Sequence, residues 1–324
     1  MRASYIFSRS AQSVITLLVV LTLLWGLFRA LPGDPAGIYI SGRLSPQDIE
    51  ALRESFGLNE PIYIQYVKYM KSFFSGNFGV SFHYREPVMQ IIGPRIFNTT
   101  VLMGPAMIMA IICGSFIGSY LGWRRGSKRE RIGAILSLCV RSFPIYLSGI
   151  IALMIFSHYL GWFPLGGMRT IGGISFSWVD GFIDITRHIL LPFIVAFLYF
   201  IGDIVVISRT SMLELIGEEF LDFAKAKGLG DGKVRRIARR NAIIPVITYA
   251  TVMIGFAFGG QVLLETVFSW PGLGRLLVNS VTRHDYPVAQ AAFFIMAAAV
   301  IIANFIVDIL YGYLDPRITY EKKG

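Results

Sequence analysis

The stretch Gly228-Leu229-Gly230-Asp231-Gly232-Lys233-Val234 comes nearest, in this chain, to a phosphate-binding loop, and it fails twice. The pattern G-x-x-x-x-G-K-[ST] wraps backbone N–H groups round a phosphate and gives a hydroxyl to magnesium. Here the first glycine would be residue 227, a lysine, and Val234 stands where the hydroxyl is needed. The four histidines, His83, His158, His188 and His284, have no partner of their own kind at i, i+4, which predicts surface or interfacial roles and no metal centre. No nucleophile stands at a recognisable spacing from a base, so the expected set of catalytic residues is empty. Cys113 and Cys139 fall inside apolar runs and report no disulfide.

Arg141 and Asp203 pose a different question, because each is a charge set deep in a long apolar run. Counted at 1.5 Å per residue from Arg131, Arg141 lies roughly 15 Å into a hydrocarbon core about 30 Å thick. Asp203, counted from Arg209, lies roughly 9 Å in. A guanidinium at that depth must find an anion, the interior of a bundle, or water. Two readings stand side by side. Arg141 pairs with Asp203, or with carbonyls freed near Pro144, and fixes its helix against a neighbour. Alternatively it faces a water-filled cavity and offers a fork of donors to a carboxylate.

Composition dictates what kind of scaffold carries these charges. With 54% hydrophobic and only 15% charged residues, and a mean hydropathy of +0.60, the chain departs from soluble globules, which carry about 25% charged residues. It reads as an all-α polytopic membrane protein of six spans, over 13–28, 99–123, 132–159, 188–207, 243–264 and 289–310. Arg2 and Arg9 precede the first run, and residues 28–30 lack a small-x-small cleavage pattern, which predicts an uncleaved anchor. Gly114, Gly118 and Gly122 line up four apart, a stripe on which another helix can approach closely.

Charge sidedness then orients the spans. Arg124, Arg125, Lys128, Arg129 and Arg131 follow the second span, eight basic residues lie between Arg209 and Arg240, and Arg317, Lys322 and Lys323 close the chain. The short loops on the other side hold only Arg169, Arg187, Arg275 and Arg283. Both termini are therefore expected to be cytoplasmic, in a cell or inner membrane. The net charge of +10 is an inside excess toward membrane lipids and predicts no nucleic-acid partner. The expected divisions are 1–30 for the N-terminal segment and first span, 31–97 for an outer loop with short helices (one over 45–56), 98–317 for a core of five spans, and 318–324 for a tail. Within the core, 209–242 is the large inner loop.

In that loop Phe220, Phe223 and Ala224 fall at i, i+3 and i+4, giving a short helix an apolar face that asks for a protein groove. Gly228 is expected to end this helix. A second short helix over 233–241 carries Arg235, Arg236, Arg239 and Arg240, and Pro245 is expected at the first turn of the next apolar run.

Ala224-Lys225-Ala226-Lys227-Gly228-Leu229 followed by Arg240-Asn241-Ala242-Ile243-Ile244-Pro245 resembles the coupling-loop signature of the membrane subunits of binding-protein-dependent ABC importers. It departs in opening with Asp222-Phe223-Ala224 where the general pattern has Glu-Ala-Ala. Pro32-Gly33-Asp34-Pro35, the segment Glu265-Thr266-Val267-Phe268-Ser269-Trp270-Pro271-Gly272-Leu273-Gly274, and Leu314-Asp315-Pro316-Arg317 resemble the dipeptide, oligopeptide and nickel branch. The likeness implies a permease that forms half of a pathway for peptides, oligosaccharides or nickel. It also implies a second homologous permease, two ATPase subunits that hold ATP and magnesium, and an extracytoplasmic binding protein. Phe220, Phe223, Ala224, Gly228, Leu229 and Pro245 are the expected coupling residues. Glu265, Trp270, Pro271 and Gly272 are expected to face the binding protein. Arg141, Pro144 and Asp203 are candidates for the path or for a buried pair. A self-contained secondary transporter is the competing class and should show matching broken helices in two halves. A membrane-embedded enzyme is the third, disfavoured by the missing chemistry.

Overall fold

The computed structural model describes residues 3–30, 60–170, 172, 177–259 and 262–314. The helix expected over 45–56 and the tail at 318–324 lie outside these residues. The described chain is helical: α1 (Ala3–Ala30), α2 (Ile62–Phe74), α3 (Val88–Trp123), α4 (Lys128–Ser142), α5 (Ile145–Ala152, continuing as a π-helical stretch, Leu153–Tyr159), α6 (Trp178–Leu215), α7 (Glu219–Ala226), α8 (Asp231–Gly259), α9 (Val262–Val267), α10 (Leu273–Thr282) and α11 (Tyr286–Leu314). Among the described residues four helices are each long and apolar enough to cross a bilayer: Tyr5–Ala30, Val88–Trp123, Trp178–Leu215 and Tyr286–Ile306.

Local signals set several boundaries. Ser127 caps α4, its Oγ accepting from the Glu130 N–H at 3.1 Å. Ser177 caps α6 by accepting from the Val179 N–H at 3.2 Å. α3 starts at Val88, after Pro87, and runs through the expected boundary at 97–98 without a break. Its 36 residues make a rod of roughly 54 Å, longer than a bilayer core, so one end projects.

The third expected span is not one rod. α4 and the α5 segment are bent by 92°. Pro144 has no N–H to give and clashes with the preceding turn. It also holds Phe143 extended, at φ −79 and ψ 124. Arg141 therefore lies in the last turn of a half-helix, where a cation meets the negative end of the backbone dipole. α8 also corrects the expectation. It runs unbroken from Asp231 to Gly259 with Pro245 in its interior, so the basic helix and the following apolar run are one element.

α3 and α6 form the spine. A Cβ at Gly114 would come within 2.6 Å of Ile204, one at Gly118 within 2.5 Å of the Val205 carbonyl, and one at Gly122 within 2.7 Å of Met212. The stripe is thus the seat of α6. Serines reinforce it: Ser208 Oγ donates to the Ser115 carbonyl at 3.0 Å and lies 3.0 Å from Ser119 Oγ. Because the obstacle at Gly118 is backbone, Gly118→Ala is expected to force the helices apart and cost about 1–3 kcal/mol. A lowered thermal midpoint in detergent checks this. Gly104→Ala, which would meet only the Thr100 methyl at 4.0 Å, is the neutral control.

Round this spine, Leu102, Met103, Phe200, Ile204 and Trp270 belong to one buried cluster, while Phe28, Ile92, Leu276 and Ala292 belong to another that joins α1, α3, α10 and α11. Phe73 of α2 meets Phe78 and Phe294 edge-on, with ring centres 5.1 and 5.3 Å apart. These contacts tie the segment before α3 to α11.

Candidate functional site

α7 packs against its own chain through Leu221 and Ala224. Glu219 and Asp222 sit in its first turn and Lys225 in its last, matching the backbone dipole. Its C-terminus closes as a Schellman motif: the Gly228 N–H donates to Lys225 O at 2.8 Å and the Leu229 N–H to Ala224 O at 3.3 Å. This closure puts Gly228 at φ +78, a conformation that side chains disfavour. Leu229, partly buried, packs with Met212, Leu221, Ala224, Val234 and Ala238.

That cluster corrects part of the expected docking face. Ala224 points inward and is 7% exposed, and with Leu221, which lies outside the i, i+3, i+4 pattern, it seats α7 on α8. Phe220 and Phe223 point outward, 40% and 61% exposed. The Lys227 ammonium rests 4.3 Å from the Phe223 ring centre. Pro245 lies within α8, well past this contact, and marks no boundary.

Arg141 Nε lies 2.7 Å from Asp203 Oδ1, joining α4 to α6. The Tyr249 side chain on α8 lies beside the same carboxylate, so three helices meet at one polar node. The burial is lopsided, with the Arg141 side chain 53% exposed and that of Asp203 16%. Close packing holds the node, since a Cβ at Gly202 would come within 3.1 Å of the Arg141 backbone nitrogen. Pro144 ends the helix that carries Arg141 and touches neither partner through any hydrogen bond among the described residues.

The outer turn expected to receive a binding protein is largely interior. Glu265 is 1% exposed and Trp270 fully buried. Trp270 Nε1 donates to Asn98 O at 2.9 Å, and Asn98 Nδ2 donates to Pro271 O at 2.9 Å. Gly272 leaves space that a Cβ would take from the Glu265 carboxylate. Glu265, Trp270 and Gly272 thus latch α9 and α10 onto α3 and present no side chain outward. Pro271 alone of the four stays partly exposed. The motif's turn residues suggested a surface, but its carboxylate and indole are consumed inside.

Glu265 takes hydrogen bonds from the Thr99 hydroxyl at 2.6 Å and the Arg275 N–H at 3.0 Å. Burial nonetheless pushes its carboxyl above the ordinary carboxylate range, with the Thr99 and backbone donors opposing. Folded Glu265 therefore binds a proton more readily than unfolded Glu265. Its contribution favours the fold at low pH and is lost as pH rises from the ordinary carboxylate value through the raised one. A thermal midpoint that falls across this window, with the fall flattened in Glu265→Gln, is the expected result; an equal slope in the variant assigns it elsewhere. Nearby, Asp285 accepts from the N–H groups of Phe82 and His83 at 3.0 and 3.3 Å. A buried carboxylate thus pins the segment before α3 to the turn before α11, a contact that spacing in sequence does not reveal.

Comparison with known proteins bears on the whole of this arrangement. Residues 95–320 match the family described as binding-protein-dependent transport system inner membrane component, and residues 2–103 match the N-terminal part described for such membrane components. The chain is 35% identical over 320 residues to the oligopeptide transport system permease protein AppB of Bacillus subtilis, covering 98% of this chain and 100% of that one. It is 35% identical over 322 residues to the dipeptide transport system permease protein DppB of Alkalihalophilus pseudofirmus, covering 95% and 97%. It is 34% identical over 319 residues to the glutathione transport system permease protein GsiC of Salmonella typhimurium, covering 98% and 99%. With both parts matched and full-length relatives above 30% identity, the chain belongs to the inner membrane components of binding-protein-dependent transport systems.

Proposed function

We propose that this chain forms half of the membrane pathway of an ABC importer and carries peptides handed over by an extracytoplasmic binding protein. Its partners in this reading are a second, homologous permease and two ATPase subunits. The single observation that carries the coupling half is α7, a short helix seated on its own chain through Leu221 and Ala224 while Phe220 and Phe223 stay outward. Exposed aromatics on a charged helix end ask for a groove on another protein. ATP and magnesium then belong to the partners, since the near-miss at Gly228-to-Val234 offers neither the first glycine nor the hydroxyl. Support for peptide cargo comes from the relatives, whose names give oligopeptide, dipeptide and glutathione.

The six-span topology with both termini inside belongs to the same proposal. Four spans are the long apolar helices, and the bent pair counts as the third. The stretch 242–259 of α8, which holds no charged residue, supplies the fifth. Reconstitution with both permeases, the ATPases and the binding protein tests the function. ATP hydrolysis should rise when the binding protein carries peptide. No rise with any loaded binding protein overturns the importer reading, and a rise with oligosaccharide in place of peptide overturns the cargo alone.

A further inference from the structure

Between the inner end of α3 and the first half of α8 runs an open groove of about 620 Å³. Phe116 and Tyr120 form one wall, and Arg235, Arg236 and Arg239 the other. The groove continues past Arg240 toward Ile243. No carboxylate lines either part. Spaced at i, i+1, i+4 and i+5, the four arginines share one side of α8, and among the described residues none of them has an ion pair.

Neighbouring groups add to the positive field. The Arg239 guanidinium lies over the Phe116 ring at 4.7 Å, and that of Arg124 over Tyr120 at 4.9 Å. Arg129 donates to the Tyr120 hydroxyl at 3.2 Å. The nearby acid, Glu130, is already engaged by Arg209. Cations held this close repel one another until an anion sits between them.

The walls say what kind of anion. Ser115 and Phe116 precede the last residue of α3, Trp123, by seven or eight positions, so the groove reaches roughly 10–12 Å up that helix. Beside it the surface turns aliphatic, with Ile112, Ile117 and Ile244 exposed by 53%, 44% and 51%. A soluble anion would leave those side chains unused. An amphiphile with a phosphate at one end and hydrocarbon at the other satisfies both halves of the groove.

We propose that this groove binds an anionic phospholipid, its phosphate held by Arg235, Arg236, Arg239 and Arg240 and its acyl chains lying along α3 and α8. Only the choice of the cytoplasmic leaflet rests on the topology proposed above. The experiment follows the thermal midpoint of the purified full chain, in neutral detergent, as phosphatidylglycerol, phosphatidylcholine or inorganic phosphate is added. Phosphatidylglycerol should raise the midpoint saturably. Phosphatidylcholine and inorganic phosphate at the same concentration should not. The double variant Arg236→Gln/Arg239→Gln changes two exposed side chains, so the fold is kept, and it should need at least about tenfold more phosphatidylglycerol for half the effect. Native mass spectrometry should show the bound lipid lost in parallel, while Arg169→Gln, outside the groove, keeps it. Three results would overturn the proposal: an unchanged response in the double variant, an equal response to inorganic phosphate, or a response abolished when the chain is assembled with the second permease. The last would make the groove a protein interface. Whether peptide stimulates ATP hydrolysis is independent of all three.

Discussion

Phe223→Asp is expected to lower peptide-stimulated ATP hydrolysis of the reconstituted importer about tenfold or more, while the isolated chain keeps its yield and thermal midpoint. Phe223 is 61% exposed and outside the cluster that seats α7. A substitution at such a surface position changes the chain's own stability little. If the ring fills a pocket on an ATPase subunit, removing it and inserting a charge costs what a central aromatic anchor costs, about 2 kcal/mol or more. That is roughly a thirty-fold loss of affinity. Phe220→Asp should act in the same direction with less force, because Phe220 is more sheltered. Gly228→Pro should uncouple by another route. Proline cannot adopt φ +78, and it removes the N–H that closes the helix on Lys225. Ala224→Glu should behave differently again, since a carboxylate there is driven into the seat beneath α7 and loosens the element itself. ATP hydrolysis in Phe223→Asp that still responds fully to peptide-loaded binding protein would remove the aromatic pair from the coupling contact.

The extent to which this architecture was legible in the sequence depended on whether a residue's role was local. The glycine stripe, the glycine that ends α7, and the membrane class follow from backbone sterics and hydropathy, and these read directly. The inward side of α7 did not, because Phe220, Leu221, Phe223 and Ala224 put apolar groups on two sides of one helix. Only the position of α8 decides which pair is inner. Proline shows the same limit more sharply. Pro94, Pro105, Pro192 and Pro245 lie inside continuous helices, whereas Pro144 ends one. Each removes one N–H, and whether the helix continues depends on what neighbouring helices offer the freed carbonyl. The burial of Glu265 and Trp270 is hidden from the sequence for a related reason. Polar and aromatic residues in a turn-rich motif are ordinarily at a surface, and here Thr99, Asn98 and the Arg275 backbone gather them inward from distant parts of the chain.

Arg141→Ala should destabilise the purified protein more than Asp203→Ala does, and the double variant should recover much of the larger loss. The geometry predicts the asymmetry. Asp203 is the more buried partner, so deleting Arg141 strands a carboxylate beside the uncharged Tyr249. Breaking a fully buried pair costs about 3–5 kcal/mol, and the half-exposed arginine argues for a discount to about 2–3. Deleting Asp203 instead leaves a guanidinium that can swing toward water, for a loss of roughly 1 kcal/mol. With both charges gone no ion is stranded, and the coupling energy between the two sites measures the pair. Thermal midpoints of the four proteins in one detergent supply the cycle. The same exposure keeps the second role in play. Arg141 touches Asp203 through Nε while half of its side chain stays exposed, and in the proposed six-span topology that open half must face water or another subunit, because lipid solvates a charge poorly. Uptake therefore has to be measured beside stability. If all four proteins melt together while Arg141→Ala slows only cargo with a free carboxylate, the ion pair is incidental and Arg141 serves the passing peptide. If the midpoints diverge as expected while uptake falls only in proportion to the folded fraction, Arg141 is a strut at the break between α4 and α5.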